Sequence, residues 1–322
     1  MPGGWINFVV LLAAGISCPA GAQNYPNKPV KLVVGFAPAG AADYVARALS
    51  EPLSRALGQP VLVENRAGAG SSIAAEYVAK AAPDGYTLLI ASPSSISVNP
   101  AVNPKLGYTA RDLAPVIKVS SSPLVIAVNN GLGVGSIRDL IALAKKSPGK
   151  LNYASSGNGS APHLSGVLFA RLAGLDLVHV PFKGGGPAVQ SVIAGDTQVT
   201  FGTPPSVLPL MQAGRLKGLA VSSRARSPLV PDLPGMGEAG LADYDMSFWY
   251  GFFVPAGTPP AVIKRIFDAT AQVVQLPEVR QALAREGTEI ATSKSPEEFA
   301  AFVAEDAKFW VRLVRDAKIT VD

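Results

Sequence analysis

The chain has 322 residues, of which 48% are hydrophobic and 16% are charged. This length suffices for about two domains with large buried cores, and the composition excludes an intrinsically disordered protein. The net charge of +5 comes from 28 basic and 23 acidic residues scattered along the chain, without a basic run that would follow a nucleic-acid backbone. We therefore expect a compact protein that binds no nucleic acid and has a mild attraction for anions.

The N-terminal segment has the pattern of a secretory signal peptide. Residues 5 to 17 are apolar but too short to span a bilayer comfortably, and Ala20-Gly21-Ala22 is a cleavage signal, although no Lys or Arg precedes the apolar run. This pattern predicts a signal peptide over residues 1–22, cut after Ala22. Cys18, the single cysteine, belongs to the leader or is a lipid attachment point, and the poor lipoprotein signal around it favours removal. Once the leader is removed, the mature chain has no cysteine. Export of such a protein predicts the periplasm of a Gram-negative bacterium.

A β-α-β-α-β unit follows, which is typical of a parallel sheet covered by helices. An apolar, β-branched run over 30–34 ends at Ala37-Pro38-Ala39-Gly40, and Asp43 is placed to cap a helix that reaches Leu57 with Pro52 inside it. The remaining elements of the unit are strands at 60–65 and 86–91 and a helix at 73–81. Residues 97–115 are dense in Asn, Pro and Gly, which predicts a surface excursion.

The middle of the chain repeats the strand-loop-helix pattern. Two strand-like runs, 116–119 and 124–128, flank Ser120-Ser121-Ser122-Pro123, where we expect the chain to cross into a second domain. Ser136 is placed to cap a helix over 137–146. Further units predict a second parallel sheet, with strands at 151–154, 177–182, 198–202 and 218–222 and helices at 162–172, 187–194 and 207–213.

The C-terminal third predicts a return to the first domain. Residues 224–244 are rich in Pro, Gly and Arg and are expected to lead back to it, followed by a strand at 248–254. Amphipathic helices at 261–274 and 296–316 are expected to pack on the outside of the first domain. The predicted fold is α/β with two doubly wound domains, 23–122 plus 226–322 and 123–225.

Several small-residue loops follow the predicted strands. Ligands of parallel sheets bind outside the carboxyl ends of the strands, where backbone N–H groups at helix starts are open to an anion. The loops at these ends are 37–40, 92–95, 155–160 and 183–186. Lys183 is either a counter-charge for an anionic ligand or a solvated lysine. Because the loops come from both domains, a ligand site is favoured over simple chain turns.

The sequence offers little catalytic machinery. Cofactor glycine motifs, metal-ligand spacings and a nucleophile elbow are absent, so neither a cofactor nor a metal is expected. Ser160 and His163 lie three residues apart at a helix start, which suits an N-cap with a first-turn polar residue better than nucleophilic catalysis, while contact with a ligand stays possible. His179 lies between two valines in a strand and is interpreted as a satisfied core or edge histidine.

Taken together, the loop motifs resemble those of the substrate-binding proteins of tripartite tricarboxylate transporters, also called Bug receptors. The resemblance covers nearly the whole mature chain, and the motifs are specific in combination and in order. They are Tyr25-Pro26, Phe36-Ala37-Pro38-Ala39-Gly40 with Asp43 and Arg47, the stretches 64–70 and 83–88, Gly157-Asn158-Gly159-Ser160 with His163-Leu164, Pro181-Phe182-Lys183-Gly184, and the stretch 255–259.

The resemblance implies a periplasmic binding protein of type II, with a ligand cleft between its two domains. It also implies that backbone amides and water hold a carboxylate in that cleft. The ligand-binding residues then expected are Phe36, Ala37, Ala39, Gly40, Ala41, Asp43, Ser92, Ser155, Ser156, Gly157, Asn158, Gly159, Ser160, His163, Phe182, Lys183, Gly184 and Thr203. The family's first loop usually has glycine where this chain has Ala39, which would be strained there if its φ is positive.

The resulting hypothesis is a non-enzymatic, monomeric periplasmic receptor. It would bind a small carboxylate, aliphatic or aromatic, by hinge closure about 120–123 and 222–228 and deliver it to the membrane components of a tripartite tricarboxylate transporter. The alternatives are a secreted serine hydrolase that uses Ser160 and His163, and a ligand-binding component of a sensing system.

Overall fold

The computed structural model describes residues 25–103, 105–285 and 287–316. The predicted signal peptide, its cleavage site and Cys18 lie outside these residues. None of the helices in the described part of the chain is long and apolar enough to cross a membrane. The strands are β1 (Val30–Val34), β2 (Val61–Asn65), β3 (Thr87–Ala91), β4 (Leu113–Pro123), β5 (Val125–Val128), β6 (Asn152–Ser155), β7 (Val178–Pro181), β8 (Val199–Gly202), β9 (Lys217–Val221) and β10 (Ser247–Pro255).

The helices lie on both faces of the sheets and agree closely with the amphipathic segments of the sequence. They are α1 (Ala41–Leu57), α2 (Ser72–Ala79), α3 (Asn99–Val102), α4 (Ile137–Lys146), α5 (Ala161–Ala173), α6 (Gly185–Ala194), α7 (Pro204–Gln212), α8 (Met236–Ala239), α9 (Pro260–Val273), α10 (Pro277–Arg285) and α11 (Pro296–Asp316). The sequence reading did not anticipate α8 and α10. Pro52 lies inside α1, which continues past it because its apolar face is buried as far as Leu57.

The strands form two five-stranded sheets. The first has the order β2-β1-β3-β10-β4 and the second β7-β6-β8-β5-β9, and each with its helices is called a lobe below. Strand β10 runs antiparallel to β3 and β4, and β5 runs antiparallel to β8 and β9. The α/β fold class is therefore confirmed, but the expectation of a purely parallel second sheet is wrong, since β5 enters that sheet directly from β4 without a crossover helix.

The chain passes between the lobes at two adjacent points. Ser120–Pro123 belongs to β4 and pairs with β10, so the first crossing lies at Leu124 and not in a serine loop. The Leu124 N–H donates to Ser222 Oγ at 2.7 Å, and Ser222 Oγ donates to the Met246 carbonyl at 2.6 Å. The buried Ser222 hydroxyl thus joins the outgoing and the returning segment of the hinge.

Two other segments depart from the sequence reading. The excursion expected over 97–115 begins buried, because Ser94–Val98 forms a π-helical turn that continues into α3, and Val98 and Asn99 are 0% and 3% exposed. Residues 224–244 contact the second sheet, where Gly235 bridges to Val221 and Tyr244 packs edge-on against Phe169. These contacts indicate that the chain returns to the first lobe at β10. The domain bounds themselves stay a prediction.

Helix α11 connects the two lobes on the outside of the molecule. Phe299 near its start packs against Trp249 and Phe253 of the first sheet, as expected for a helix on the first domain. At its other end, Asp316 lies 3.6 Å from Arg171 of α5 in the second lobe. The helix therefore spans the hinge as well as covering the first sheet.

Candidate functional site

Helix N-termini from both lobes meet at one small cavity. Gly40 and Ala41 at the start of α1 come from the first lobe, and Ser160 before α5, Gly185 at the start of α6 and Thr203 before α7 come from the second. The cavity has a volume of about 20 Å³ in this conformation, which is room for about one water molecule. The sequence produces this convergence because each of these helices follows the carboxyl end of a strand.

The first turns of these helices provide N–H donors for an anion. The first N–H groups of a helix have no partner within it, and the helix dipole makes that end partly positive. Within the described part of the chain, no hydrogen bond occupies the N–H of Ala41, Ala161 or Gly185. None of the residues lining the cavity is lysine or arginine. The cavity is therefore suited to hold a carboxylate by backbone donors, without a basic side chain.

Aromatic side chains form the wall on the first lobe. Phe36 lies after β1, and Phe248 and Tyr250 project from the same face of β10, two residues apart. Burial raises the pKa of Tyr250, although the nearby Ala42 backbone opposes this shift, so the hydroxyl stays protonated. A protonated phenol is a hydrogen-bond donor, and Tyr250 can donate to a ligand oxygen in the cavity.

The loop before α1 is held by a polar cluster behind the cavity. Asp43 accepts hydrogen bonds from the Ala39 N–H at 3.2 Å, Arg47 Nε at 2.9 Å and Asn65 Nδ2 at 2.8 Å. Burial opposes ionisation of Asp43, but these hydrogen bonds outweigh it and hold the pKa of the carboxyl group below its usual range. The N-cap of α1 is Gly40, so the expected cap role of Asp43 is corrected to a first-turn residue that fixes the loop.

Ala39 adopts a left-handed backbone conformation. Its φ is 65°, which L-residues other than glycine rarely adopt. The hydrogen bond from its N–H to Asp43 helps to hold the loop in this shape. Thus the alanine lies at a position that favours glycine, as expected from the resemblance of this loop to those of the Bug receptors.

The loops of the two lobes touch across the cleft. The Ala37 N–H donates to the Lys183 carbonyl at 3.3 Å, so this predicted ligand donor is engaged by the protein. A Cβ atom on Gly70 would lie 2.2 Å from the Asn158 carbonyl oxygen, and one on Gly184 would lie 3.0 Å from the Ala37 Cβ. Glycines at these positions therefore allow the lobes to approach backbone to backbone.

The histidines lie behind the second-lobe loops. Ser160 caps α5 by accepting from the His163 N–H at 3.4 Å, which confirms the interpretation as an N-cap. His163 Nδ1 accepts from the Gly159 N–H at 3.0 Å, and the two histidine rings stack with centroids 4.0 Å apart. His179 Nε2 lies 2.6 Å from the fully buried Ser155 Oγ, so His179 is a satisfied histidine, as predicted. Burial lowers the pKa of His163 to about 3 and that of His179 to about 4.

The cavity gathers some of the predicted site residues and not others. Phe36, Gly40, Ala41, Ser156, Ser160 and Thr203 line it. The others lie behind it or in the loops that touch across the cleft: Ala37, Ala39, Asp43, Ser155, Gly157, Asn158, Gly159, His163, Phe182, Lys183 and Gly184. Ser92 is 1% exposed, and its hydroxyl has no hydrogen-bond partner among the described residues. Ligand contact by each of these residues stays a prediction.

Sequence reasoning missed five residues of the lining. They are Ala42, Ala161, Pro162, Phe248 and Tyr250, whereas Gly185 belongs to the predicted loop 183–186. Ala42, Ala161 and Pro162 could have been predicted from the sequence, since they lie at helix starts next to loops that were identified. No cluster of three or more potential metal ligands occurs among the described residues.

Comparison with known proteins identifies the family of the chain. The family model described as "Tripartite tricarboxylate transporter family receptor" matches residues 45–319. The chain belongs to this receptor family. Protein BugT of Bordetella pertussis is 36% identical over 312 residues, which cover 96% of this chain and 95% of BugT. The resemblance seen in the loop motifs is thereby confirmed.

Two solved structures at 30% identity or more have the same fold. R. palustris Rpa4515 with adipate has a TM-score of 0.88 at 33% identity, and the match covers 92% of this chain and 99% of that one. MatC from Rhodopseudomonas palustris with bound malate has a TM-score of 0.85 at 30% identity, covering 90% of this chain and all of that one (100%). Small carboxylates are thus bound in two proteins similar to this receptor.

Proposed function

We propose that this receptor captures a small organic acid in the periplasm and delivers it to the membrane components of a tripartite tricarboxylate transporter. The observation that carries the proposal is the meeting of helix N-termini from two lobes at one cavity without a basic side chain. Family membership and the carboxylates bound by Rpa4515 and MatC support it. The protein acts as a monomer, without enzymatic activity, after removal of residues 1–22.

The site geometry disfavours the hydrolase alternative. Nucleophilic serine requires a base that accepts its proton, and in this chain His163 Nδ1 already accepts from the Gly159 N–H. Ser160 Oγ instead accepts from the His163 backbone. The Ser155 and His179 pair has suitable spacing, but Ser155 is 0% exposed and is engaged with the backbone of Gly157. These serines therefore shape the second-lobe loop.

A matched pair of cap variants tests the receptor proposal. Ser160→Ala removes the cap at the cavity, and Ser136→Ala removes the cap of α4, where Ser136 Oγ accepts from the Asp139 N–H at 3.1 Å. Each substitution is expected to lower the free energy of unfolding by about 1 kcal/mol. Only Ser160→Ala should also weaken binding of malate or adipate, measured by isothermal titration calorimetry of the purified protein.

The same proteins distinguish the receptor from an enzyme. Equal carboxylate affinity in the wild type, Ser160→Ala and Ser136→Ala would show that the carboxylate does not bind at this cavity. Turnover of an ester substrate by the wild type, abolished by Ser160→Ala, would overturn the receptor proposal in favour of a hydrolase.

A further inference from the structure

A second pocket lies on the other face of β10. Successive side chains of a strand point to opposite faces, so Phe248 and Tyr250 face the cleft cavity whereas Trp249 faces away from it. Trp249 lines a cavity of about 290 Å³ together with Phe302, Phe309 and Trp310 of α11. This volume is at the lower end of the range, roughly 300 to 1,000 Å³, that is typical of small-molecule sites.

One anionic side chain forms the floor of this pocket. Asp306 Oδ2 accepts from both indoles, at 2.7 Å from Trp249 Nε1 and 2.8 Å from Trp310 Nε1. Its other oxygen, Oδ1, has no hydrogen-bond partner among the described residues. Burial raises the pKa of Asp306, although the indole donors and the nearby Lys118 oppose this shift. The carboxylate is therefore fixed in position and retains an acceptor oxygen.

One cationic side chain lies opposite in the same pocket. Lys118 Nζ lies 4.0 Å from the centre of the Phe302 ring. No ion pair or hydrogen bond to Nζ occurs in the described part of the chain, and burial lowers the pKa of Lys118. An ammonium group that is partly desolvated and lacks an acceptor is stabilised by a ligand carboxylate.

Charge and aromatic rings together define the class of ligand. The exposed Asp245 lines the rim and accepts from the Arg224 N–H at 3.0 Å, so the pocket has two carboxylates and one ammonium group. Trp249 and Trp310 are 2% and 1% exposed, so the half-exposed ring of Phe309 is the aromatic face that a ligand can reach. An aromatic face attracts an organic cation, and the excess carboxylate adds to this attraction. We propose that this pocket binds a small zwitterion, such as a betaine or an amino acid, with its ammonium group toward Asp306 and the rings and its carboxylate toward Lys118.

The pocket also lies beside the hinge. Ser121 at the end of β4 and Met246 and Ser247 at the return to β10 line it. Met246 is joined to the outgoing crossing through Ser222. An occupant would thus contact the end of β4, the returning crossing at Met246 and α11 at once, at a site separate from the cleft.

The intrinsic fluorescence of the protein reports on this pocket directly. The chain has three tryptophans, of which Trp249 and Trp310 line the pocket and Trp5 lies in the predicted signal peptide. Titration with glycine betaine is expected to change tryptophan emission saturably and to give saturation-transfer NMR signals. 3,3-Dimethylbutanoate, which has the same shape without the ammonium group, should bind at least about tenfold more weakly, since a charge-assisted contact is lost.

Variants test the assigned contacts. Lys118→Met should weaken betaine binding about tenfold, and Phe309→Ala, whose side chain is 43% exposed and tolerant of change, should weaken it as well. Lys308→Met, at an exposed lysine of α11 that pairs with Glu305 and does not line the pocket, is the matched control and should bind as the wild type does. Adipate should not compete.

Three outcomes would overturn the proposal of a second binding site. They are the absence of both the fluorescence change and the NMR signals with betaine, equal binding by Lys118→Met and Phe309→Ala, and displacement of betaine by adipate. The Ser160→Ala variant separates the two proposals, because it should reduce carboxylate binding in the cleft and leave betaine binding intact.

Discussion

At the scale of single residues, Ala39 connects the loop sequence with backbone energetics. Its φ of 65° costs an alanine about 1 to 2 kcal/mol relative to ordinary conformations, whereas glycine would lose about 0.5 to 1 kcal/mol more conformational entropy on folding. Ala39→Gly should therefore raise the free energy of unfolding by up to about 1 kcal/mol, measured by urea denaturation.

The control for this prediction lies two residues away. Ala37 is in the same loop but has no positive φ, so Ala37→Gly has no strain to relieve and should lower stability. Stabilisation by Ala37→Gly, or loss of stability in Ala39→Gly, would contradict the assigned strain. The sequence identified this position because the family that the loop resembles usually has glycine where this chain has Ala39.

At the scale of elements, the stacked histidines behind the second-lobe loop make stability depend on pH. His163 is buried and His179 is half-buried, and burial lowers the pKa of His163 to about 3 and that of His179 to about 4 from an ordinary value of 6.5, so both are neutral at pH 7. The unfolded chain therefore binds more protons below pH 6.5, and stability falls as pH falls from about 6.5 toward 4. We expect a loss of about 1 kcal/mol per pH unit for each histidine in that window.

Unfolding by urea at pH 7 and pH 5 measures this slope. Replacing His179 by Asn keeps a hydrogen-bonding group near Ser155 and removes the titration, so His179→Asn should show a smaller loss between the two pH values. If the free energy of unfolding of His179→Asn depended on pH as steeply as that of the wild type, the pH dependence could not be assigned to the two histidines.

Helices and strands with a clear periodicity of apolar residues were predictable from the sequence. A segment interpreted by its composition alone was predicted wrongly. The bounds of α11 agree with the sequence reading because its apolar residues recur along one face. The Asn- and Pro-rich segment after β3 was misread, because Asn99 is buried and its amide donates to the carbonyls of Ala69 and Gly70 and to Ser72 Oγ. Composition alone does not show whether such an amide faces solvent or orders a neighbouring loop.

The site itself was predictable only in part. Loops at the carboxyl ends of strands follow from the β-α order, so Gly40, Ala41 and Ser160 were identified. Of the aromatic wall only Phe36 was identified, since β10 reads Ser-Phe-Trp-Tyr-Gly-Phe-Phe and has aromatic residues on both faces. Its antiparallel insertion between β3 and β4 decides that Phe248 and Tyr250 face the cleft, and this pairing involves residues far apart in sequence.

At the scale of the whole molecule, the two lobes meet so closely that ligand entry requires them to separate. The cleft cavity of about 20 Å³ admits about one water molecule, which is far less than a dicarboxylate occupies. Motion about the Leu124 and Met246 crossings would open the cleft, and contacts of the ligand with both lobes would favour reclosure. In the proposed function, backbone amides on both sides would then recognise the carboxylate, while the lining side chains would select the rest of the acid.

The most direct test of this account is isothermal titration calorimetry at pH 7 with adipate and with adipamide, its uncharged diamide. Capture by helix N-termini predicts saturable binding of one adipate per protein and at least about a hundredfold weaker binding of the diamide, because the charge-assisted hydrogen bonds are lost. Equal binding of acid and amide would contradict recognition of a carboxylate by the converging helix N-termini.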